Sequence, residues 1–332
     1  MSENWTGEDV LRLSRGFQAA CVIHAAAELD VVAAVGEGGA TAETLAEEIA
    51  GDLRATTVLA DALAAMGVLI KEGGRYAAAP GAADALTAEG TDSVLAMVRH
   101  QANCLRSWSR LADVVRSGRP VEKAPSIRGA RADQEAFIEA MEVASRAAAG
   151  PLVEAIGPPA FGHLLDLGGG PATWTIAFLR AAPDAKATLY DRPDVIGIAE
   201  RHLREAGLLE RVTLVAGDFC VDPSLPDGAD LAWVSAIAHQ NSRGQNRELL
   251  RKVHAALAPG GRVLIRDVVM DASRTQPAGG ALFAINMLVQ TCGGGTFTFG
   301  ELREDLAAAG FAEAKLLRPD RYMNSIVQAI RA

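Results

Sequence analysis

A glycine-rich turn is the first stretch of the chain whose residue types could bind a ligand. The turn, Asp166–Thr173, follows a short apolar run, and we predict that a helix begins near Thr173. Its three consecutive glycines allow the backbone to approach a ligand closely and to adopt dihedral angles that other residues avoid. Asp191 lies 25 residues after Asp166, at the end of the next predicted strand. A carboxylate at that position could accept hydrogen bonds from both hydroxyls of a ribose.

The details of the turn favour S-adenosylmethionine over a dinucleotide. A pyrophosphate fingerprint requires G-x-G-x-x-G, but Thr173 occupies the third glycine position. Pro171 removes one of the backbone N–H groups that would bind a phosphate. Asp166 stands at the end of the strand, where it would repel a pyrophosphate but would suit the ammonium group of a methionine moiety. The sequence therefore predicts S-adenosyl-L-methionine as the cofactor.

A histidine near the same edge of the predicted sheet could remove a proton. Methyl transfer to oxygen is a displacement at a sulfonium, so the protein must align the acceptor and take its proton. Histidine suits this task near neutral pH. His239 lies just beyond the fourth predicted strand of this region. The sequence contains no nucleophile elbow and no phosphate-binding P-loop, and we expect no metal because no cluster has convincing ligand spacing.

Alternating strands and helices must position these residues. The region 161–332 contains apolar strand candidates separated by helices such as Asn246–Leu257, whose apolar residues share one face. This alternation predicts an α/β fold with a doubly wound, mainly parallel sheet. The strand candidates are His163–Asp166, Ala187–Asp191, Val212–Asp218, Leu231–Ala238, Arg262–Asp267, Glu313–Leu317 and Ser325–Ile330.

The region 1–90 is predicted to be a separate winged-helix-like domain. An apolar stripe indicates a helix within Gly16–Val35, and Thr41 is a plausible N-cap for a helix through Ile49. A further helix is predicted over Leu53–Met66, and the Gly73-Gly74 pair after it indicates a β-hairpin. Between this domain and the α/β domain, 91–160 is predicted to be a mostly helical linker that contributes to an acceptor pocket. Gly157, Pro158 and Pro159 mark its end.

The charge distribution argues against nucleic acid as a partner. Residues 1–90 contain 5 Lys or Arg and 14 Asp or Glu residues, so they carry the whole net charge of −9. In a DNA-binding winged helix the segment Leu53–Asp61 would be the recognition helix, and its only cation is Arg54, whereas binding a phosphate backbone requires clustered cations. No apolar run is long enough for a membrane span, and the polar N-terminus lacks a signal pattern.

Four widely spaced cysteines fit buried thiols in a reducing compartment, so we expect a cytoplasmic protein.

Four segments together resemble the motifs of the plant-type small-molecule O-methyltransferases and their bacterial relatives. They are Asp166–Thr173, Tyr190–Ile196, Gly217–Phe219 and Ala258–Arg262. The resemblance covers nearly the whole chain. It implies an N-terminal winged-helix dimerisation domain, a C-terminal Rossmann-like domain, a homodimer and a small-molecule acceptor methylated at a hydroxyl oxygen.

The resemblance also implies residue roles by position. Asp166, Gly168 and Gly170 would line the methionine part of the cofactor, and Asp191 would hold the ribose. Asp218 and Phe219 would bracket the adenine, and Ser235 would lie near the cofactor's carboxylate. His239 matches the catalytic base and Asp267 matches the acidic residue that orients it. The candidate acceptor contacts are Met141, Met287, Thr291 and Thr296.

Two departures from the family pattern leave alternatives open. Gln240 replaces the aspartate that usually follows the catalytic histidine, and Thr296 replaces the glutamate that usually provides its second carboxylate. His239 would then have fewer carboxylates to stabilise its cation. One alternative is transfer to nitrogen or carbon, where an already nucleophilic acceptor needs less help from a base. Another is a relative that binds the cofactor but catalyses hydroxylation, decarboxylation or rearrangement.

Overall fold

The chain divides into two units in the computed structural model, which describes residues 4–157 and 160–332. One unit comprises the residues up to Arg106 together with Ala124–Val143, and the other comprises Ser107–Lys123 and Ala144–Ala332. Pro158 and Pro159, two of the three residues predicted to mark a domain boundary, lie outside the described residues. Within the described ranges, no helix combines the length and apolar character needed to cross a membrane.

The first unit is helical with one small sheet, as the sequence predicted. Thr41 caps its helix as expected, because its hydroxyl accepts a hydrogen bond from the Thr44 N–H. The hairpin also forms, and a two-residue strand that the sequence analysis missed pairs with it to give the order β1-β3-β2. The elements are α1 Gly7–Ser14, α2 Phe17–Glu28, α3 Val31–Val35, β1 Ala40–Thr41, α4 Ala42–Glu48, α5 Leu53–Ala65, β2 Leu69–Glu72, β3 Arg75–Ala78, α6 Ala82–Leu86 and most of α7 Leu95–Trp108.

The helix predicted within Gly16–Val35 is interrupted, which corrects the sequence analysis. Asp30 adopts a left-handed conformation with φ of 55° and separates α2 from α3. Its carboxylate accepts hydrogen bonds from the guanidinium groups of Arg99 and Arg128, which lie far away in the sequence. These ion pairs stabilise a backbone conformation that an aspartate tolerates but does not favour.

The second unit is built on a seven-stranded sheet in the order β11-β12-β8-β7-β4-β5-β6. The five strands from β8 to β6 are parallel, which confirms the predicted mainly parallel sheet, whereas β12 runs antiparallel to both of its neighbours, β8 and the edge strand β11. The strands are β4 His163–Leu167, β5 Lys186–Asp191, β6 Val212–Ala216, β7 Ala229–Ser235, β8 Leu257–Asp267, β11 Phe311–Arg318 and β12 Ser325–Arg331, and a separate parallel pair is β9 Val269–Met270 and β10 Phe297–Thr298.

Helices cover both faces of this sheet. Strand residues alternate between faces, so Leu164 and Leu264 pack with α10, whereas Leu165 and Ile265 pack with α12 and α14. The helices are α8 Leu111–Ser117, α9 Ala130–Ile156, α10 Thr173–Ala181, α11 Pro193–Glu205, α12 Arg243–Ala256, α13 Ala278–Gln290 and α14 Phe299–Ala308. The helix predicted from Gln134 to about Ala149 is thus longer, and the division between the units falls within it. The carboxyl ends of the parallel strands form the edge where an open α/β sheet binds its ligands.

Candidate active site

The glycine-rich turn connects β4 to α10 at this edge. Gly168 and Gly170 have φ of +66° and +53°, a region that side chains rarely adopt. A Cβ atom on Gly168 would lie 2.7 Å from Cδ1 of Ile237 and 3.7 Å from Cε1 of Phe219. A larger residue would therefore clash with Ile237. The absence of a side chain lets the turn pack directly against these two residues.

The N–H groups of the turn are largely used within the protein. The Gly168 N–H donates to the Tyr190 carbonyl at 2.8 Å, and the Ala172 N–H donates to the Gly169 carbonyl at 3.0 Å. The Gly170 N–H donates to Asp191 at 2.7 Å, and Pro171 has no N–H. Few donors are left for a pyrophosphate, so the residues present fit S-adenosylmethionine, which carries a sulfonium and no phosphate, better than a dinucleotide.

Asp191 lies at the end of β5, beside the turn. One carboxylate oxygen accepts from the Gly170 N–H and the other from the Arg192 N–H, each at 2.7 Å. Burial raises the pKa of this carboxyl group, whereas these two hydrogen bonds oppose the shift. Each oxygen keeps a further lone pair. The carboxylate is therefore fixed in place and still able to accept the hydroxyls of a ribose.

Asp166 lies beneath the turn and is almost completely buried. The Thr175 hydroxyl on α10 donates to its Oδ2 atom at 2.5 Å. Burial is the largest effect on this carboxyl group, and it raises the pKa of Asp166 to about 7. The side chain therefore ties strand β4 to the first turn of α10 and supports the glycines from below. It is buried beneath the turn and does not line its open side, so the structure does not place it where the sequence predicted a contact with the ammonium group.

Asp218 and Phe219 follow β6, which ends at Ala216 rather than at Asp218 as the sequence predicted. The Asp218 carboxylate accepts from the Cys220 N–H at 2.8 Å, and the half-buried Phe219 ring reaches the Gly168 position. Tyr190 donates a hydrogen bond to Asp222, which also accepts from the Asp218 N–H. The structure thus brings both candidate adenine contacts to the same side of the turn as Asp191.

Ser235 ends β7, on the other side of the turn. Its hydroxyl oxygen accepts a hydrogen bond from Nη1 of Arg266 at 3.1 Å. The strand was predicted to continue to Ala238, but it stops at Ser235 and a 3₁₀ turn covers Ala238–Gln240. This short turn places His239 at the sheet edge.

His239 and Asp267 are both buried and hydrogen-bonded to each other. Nδ1 of His239 lies 2.8 Å from Oδ1 of Asp267, and the His239 backbone N–H donates to Oδ2 at 3.1 Å. Because a carboxylate only accepts hydrogen bonds, this contact assigns the proton to Nδ1. Nε2 therefore carries the lone pair that can accept a proton. The Phe283 ring lies edge-on to the imidazole, with ring centroids 4.8 Å apart.

A glycine-rich loop after α13 covers the other side of His239. The Gly295 N–H donates to the His239 carbonyl at 2.9 Å, and a Cβ on Gly294 would lie only 2.4 Å from that carbonyl oxygen. Thr296 is buried, and its carbonyl accepts from the Arg274 guanidinium at 3.0 Å. Arg274 also pairs with Glu301, the N3 residue of α14. The loop is therefore held against His239 through its backbone.

The other residues predicted to contact the methyl acceptor lie on different elements. Met287 is buried on α13, and Thr291 is the residue that follows this helix. The Thr291 hydroxyl donates to the Met287 carbonyl and accepts from the Gly294 N–H, each at 2.8 Å. Thr291 thus anchors the loop beside His239. Met141 lies on α9, in the first unit, where it is half-buried.

Several site residues carry no signal in the sequence. Phe283 and Ile237 are single apolar residues in apolar segments, and Arg266 interrupts a buried strand without a motif. Asn286 on α13 accepts a hydrogen bond from the Trp108 indole N–H at 2.8 Å, across 178 positions of sequence. Across residues 4–157 and 160–332, the structure brings together no group of three or more side chains able to hold a metal ion.

The fold and the site define a class I, S-adenosyl-L-methionine-dependent methyltransferase. The chain matches the O-methyltransferase domain model over residues 108–312 and the O-methyltransferase dimerisation domain model over residues 11–88. The chain therefore belongs to the O-methyltransferase family, as the resemblance of its motifs predicted, and it is an S-adenosyl-L-methionine-dependent O-methyltransferase of small molecules.

Named relatives match almost the whole chain. It is 29% identical over 326 residues to the 3-hydroxy-5-methyl-1-naphthoate 3-O-methyltransferase of Streptomyces sahachiroi, covering 96% of this chain and 94% of that one. It is 30% identical over 331 residues to the acetylserotonin O-methyltransferase of Mus musculus, covering 93% of this chain and 85% of that one.

Solved structures of methyltransferases share this architecture. The human N-acetylserotonin methyltransferase in complex with S-adenosylmethionine aligns with a TM-score of 0.79 at 26% identity, over 100% of this chain and 99% of that one. The mitomycin 7-O-methyltransferase aligns with a TM-score of 0.82 at 27% identity, over 98% and 97% of the two chains. The predicted fold class is confirmed.

Proposed function

We propose that this enzyme methylates a hydroxyl oxygen on a small, largely apolar molecule, with His239 as the general base. The observation that carries the proposal is the 2.8 Å contact between Nδ1 of His239 and Asp267, which leaves Nε2 as the proton acceptor. The edge-on Phe283 ring supports an apolar surrounding for that nitrogen. A base at this position is needed for a hydroxyl, which is a weak nucleophile until it loses its proton.

His239 and Asp267 then have separate roles in the reaction. When bound, the cofactor supplies an electrophilic methyl group on a sulfonium sulfur, which becomes a neutral thioether as the new oxygen–carbon bond forms. Nε2 of His239 takes the proton of the acceptor hydroxyl. Asp267 keeps the ring in the required tautomer and stabilises the positive charge that the imidazole gains. With Thr296 where the family has a glutamate, Asp267 alone supplies that stabilisation.

The chemistry of the site supports the cofactor contacts that the resemblance implies for Asp191, Asp218, Phe219 and the two glycines. Asp191 has two fixed carboxylate oxygens for the ribose hydroxyls. Asp218 and Phe219 would bind the adenine through its amino group and its face. Gly168 and Gly170 allow the backbone to approach the methionine part. Asp166 is proposed to act indirectly: it lies beneath the turn and stabilises it through its hydrogen bond with Thr175.

The proposed acceptor pocket is lined by α13 and the loop that follows it. Phe283 and Met287 supply apolar surface, and Thr296 replaces a charged residue with a small one. Thr291 contributes by holding this loop, because its hydroxyl is already engaged twice. Met141 stays a prediction from the resemblance. This lining favours an acceptor with an apolar ring system rather than a strongly charged molecule.

Turnover with defined acceptors tests the proposal. The enzyme is incubated with S-adenosylmethionine and with 3-hydroxy-5-methyl-1-naphthoate, N-acetylserotonin and a panel of ring hydroxyl compounds, and S-adenosylhomocysteine and methyl ethers are measured by mass spectrometry. We expect stoichiometric formation of both products. For the best acceptor, His239→Gln is expected to lower kcat by about 10²–10⁴-fold while the Kd for S-adenosylmethionine stays within threefold of wild type.

His163→Gln is the matched control. His163 begins β4 at the opposite end of the sheet, where Nε2 contacts the Thr188 hydroxyl, so its loss should leave turnover unchanged. Unchanged turnover in His239→Gln would refute the base. Methylated nitrogen or carbon in the product would refute the choice of acceptor atom, and turnover without S-adenosylhomocysteine would indicate the non-methylating alternative.

We also propose that the enzyme is a homodimer that uses the apolar surface of its N-terminal helices. Helix α1 buries none of its residues, and Leu13 and Phe17 are 58% and 55% exposed. These residues lie within the segment that matches the dimerisation domain model. A second copy of the chain would cover this surface, because exposed apolar patches mark association sites.

Light scattering of purified variants tests the dimer. The double substitution Leu13→Glu with Phe17→Glu is expected to give monomers at micromolar concentration, because charges would be buried at the interface. Leu317→Glu, on the partly exposed edge strand β11, is the control and should remain dimeric. A double variant with the mass of the wild-type dimer would overturn this interface.

A cytoplasmic location is proposed from the cysteines. The prediction of buried thiols was wrong, because Cys21, Cys220 and Cys292 are exposed; the described residues form no disulfide. Exposed thiols persist in reducing compartments. Fractionation of the source cells, with the protein detected by an antibody, would test this location.

A further inference from the structure

Arg266 is a buried arginine on β8 that the proposed reaction does not use. It is only 4% exposed, and its guanidinium contacts three neighbouring side chains. It donates to the Ser235 hydroxyl at 3.1 Å and to Oδ1 of Asn324 at 2.9 Å, and it stacks over the Trp174 ring with 4.5 Å between Cζ and the centroid. These contacts fix the position of the guanidinium at the carboxyl edge of the sheet.

The charge of this guanidinium is not balanced by a close partner. Among the residues that the structure describes, no carboxylate lies within 4.0 Å of it, although Asp267 and Asp320 attract it at longer range. Burial lowers the pKa of Arg266 to about 10, which reflects the unfavourable environment for its charge. A buried charge without an ionic partner is costly, so such a residue is expected where an anion binds.

The sheet places Arg266 on the side of the glycine turn opposite to Asp191. Strand β7 lies between β4 and β8, with Leu167 paired to Val234 and Ser235 paired to Arg266. Arg266 is thus level with Gly168 and two strands away from it. Its side chain shares a sheet face with Asp166 and with Trp174 at the start of α10, whereas the neighbouring Asp267 points to the opposite face, toward His239.

The position of Arg266 fits the methionyl end of the cofactor. A molecule whose ribose is bound at Asp191 on β5 and which crosses the turn has its methionyl end at β7 and β8. That end carries a carboxylate, and Arg266 offers a guanidinium there with donors in a fixed orientation.

We propose that Arg266 is the residue that binds the carboxylate of the methionyl group, with Ser235, Asn324 and Trp174 holding the guanidinium in position. This inference depends on the S-adenosylmethionine site of the proposed function. In the free enzyme the Arg266 guanidinium is buried without a close ionic partner. The methionyl carboxylate of the bound cofactor would be that partner.

Binding calorimetry without acceptor tests the inference through a pair of ligands that differ by one group. S-adenosylmethionine and its decarboxylated form are titrated into wild type, Arg266→Met and Arg266→Lys. Wild type is expected to bind S-adenosylmethionine about 10–100-fold more tightly than the decarboxylated form, and Arg266→Met should bind the two equally. Arg266→Lys should keep part of the preference, because it keeps the charge but not the planar donors.

Arg262→Met is the matched control. Arg262 lies on the same strand and the same sheet face as Arg266, but four residues further from the carboxyl edge of the sheet. It should retain the wild-type preference. The melting temperature of free Arg266→Met should equal or exceed that of wild type, because the substitution removes an uncompensated buried charge. An unchanged preference in Arg266→Met, or an equal loss for both ligands, would overturn the inference. Failure of wild type to bind either ligand would instead contradict the proposed cofactor site.

Discussion

The Asp267 carboxylate holds both the ring and the backbone of His239. One oxygen accepts from Nδ1 at 2.8 Å and the other from the backbone N–H at 3.1 Å. The Val268 N–H donates to the same carboxylate at 2.7 Å, so its orientation is fixed by the strand that carries it. The position, tautomer and charge of the imidazole therefore depend on one side chain.

Asp267→Asn is expected to lower kcat by about 10²–10⁴-fold, because the amide can donate to Nδ1 and leave the proton on Nε2. The Kd for S-adenosylmethionine should change little, since the Asp267 carboxylate is engaged by His239 and by the Val268 N–H. Steady-state kinetics and calorimetry on the same preparation separate the two quantities. A kcat within threefold of wild type would show that the tautomer does not limit the reaction.

Asp166→Asn is expected to change how stability depends on pH. Burial raises the pKa of Asp166 to about 7, so between about pH 4 and pH 7 the folded state keeps a proton that the unfolded state releases. The free energy of unfolding of wild type should therefore fall as pH rises through this window, by about 1.4 kcal/mol per pH unit from this group. Asn can still accept from Thr175 but does not titrate.

Urea unfolding at pH 5.0, 6.0 and 7.0 measures this difference. The stability of wild type relative to Asp166→Asn should decline steadily across the series. Asp184→Asn, at an exposed position, is the control and should follow wild type at every pH. Parallel curves for wild type and Asp166→Asn would contradict the buried carboxyl.

Gly168→Ala is expected to lower both stability and cofactor affinity. The new Cβ would lie 2.7 Å from Cδ1 of Ile237 at a backbone φ of +66°, so we expect a loss of about 1–3 kcal/mol in unfolding free energy. Adding Ile237→Val removes Cδ1 and should restore part of this loss. Thermal unfolding of Gly197→Ala provides the control, because the α11 glycine has open space around its Cβ position and alanine is the better helix former.

Asp305→Ala is expected to destabilise the second unit by about 1–3 kcal/mol. Asp305 is completely buried on α14 and accepts from Arg243 at 2.8 Å and from Arg247 at 2.6 Å, both on α12. Its removal leaves two partly exposed cations without their common partner. Glu304→Ala, which removes an exposed partner of Arg243, should cost less than about 1 kcal/mol in the same denaturant titration. Equal losses in the two variants would refute the role of burial.

The sequence was sufficient for most of the fold because strand alternation and glycine or proline stops are local signals. It could not reveal β1, which has two residues and no periodicity. It also could not reveal that β12 runs antiparallel to β8 and β11, because pairing direction depends on distant partners. The break at Asp30 was missed for the same reason, since Arg99 and Arg128 stabilise it from far along the chain.

The site shows the same division between local motifs and distant contacts. The turn, Asp191 and His239 stand at strand ends within recognisable motifs, so the sequence could predict them as candidates for the site. Phe283 was missed because an apolar residue in an apolar helix carries no local signal. Arg266 became informative only through its burial and its contacts with Ser235, Asn324 and Trp174.

The internal use of the turn's N–H groups has a consequence for competition in the cell. ATP and nicotinamide dinucleotides contain the same adenosine as S-adenosylmethionine but carry a phosphate chain. Three N–H groups of this turn are committed to protein acceptors, and Pro171 has none, so a phosphate chain gains few hydrogen bonds there and lies beside the carboxylate of Asp191. We therefore expect the turn to discriminate against phosphate-bearing adenosine compounds, because it offers a phosphate few free donors.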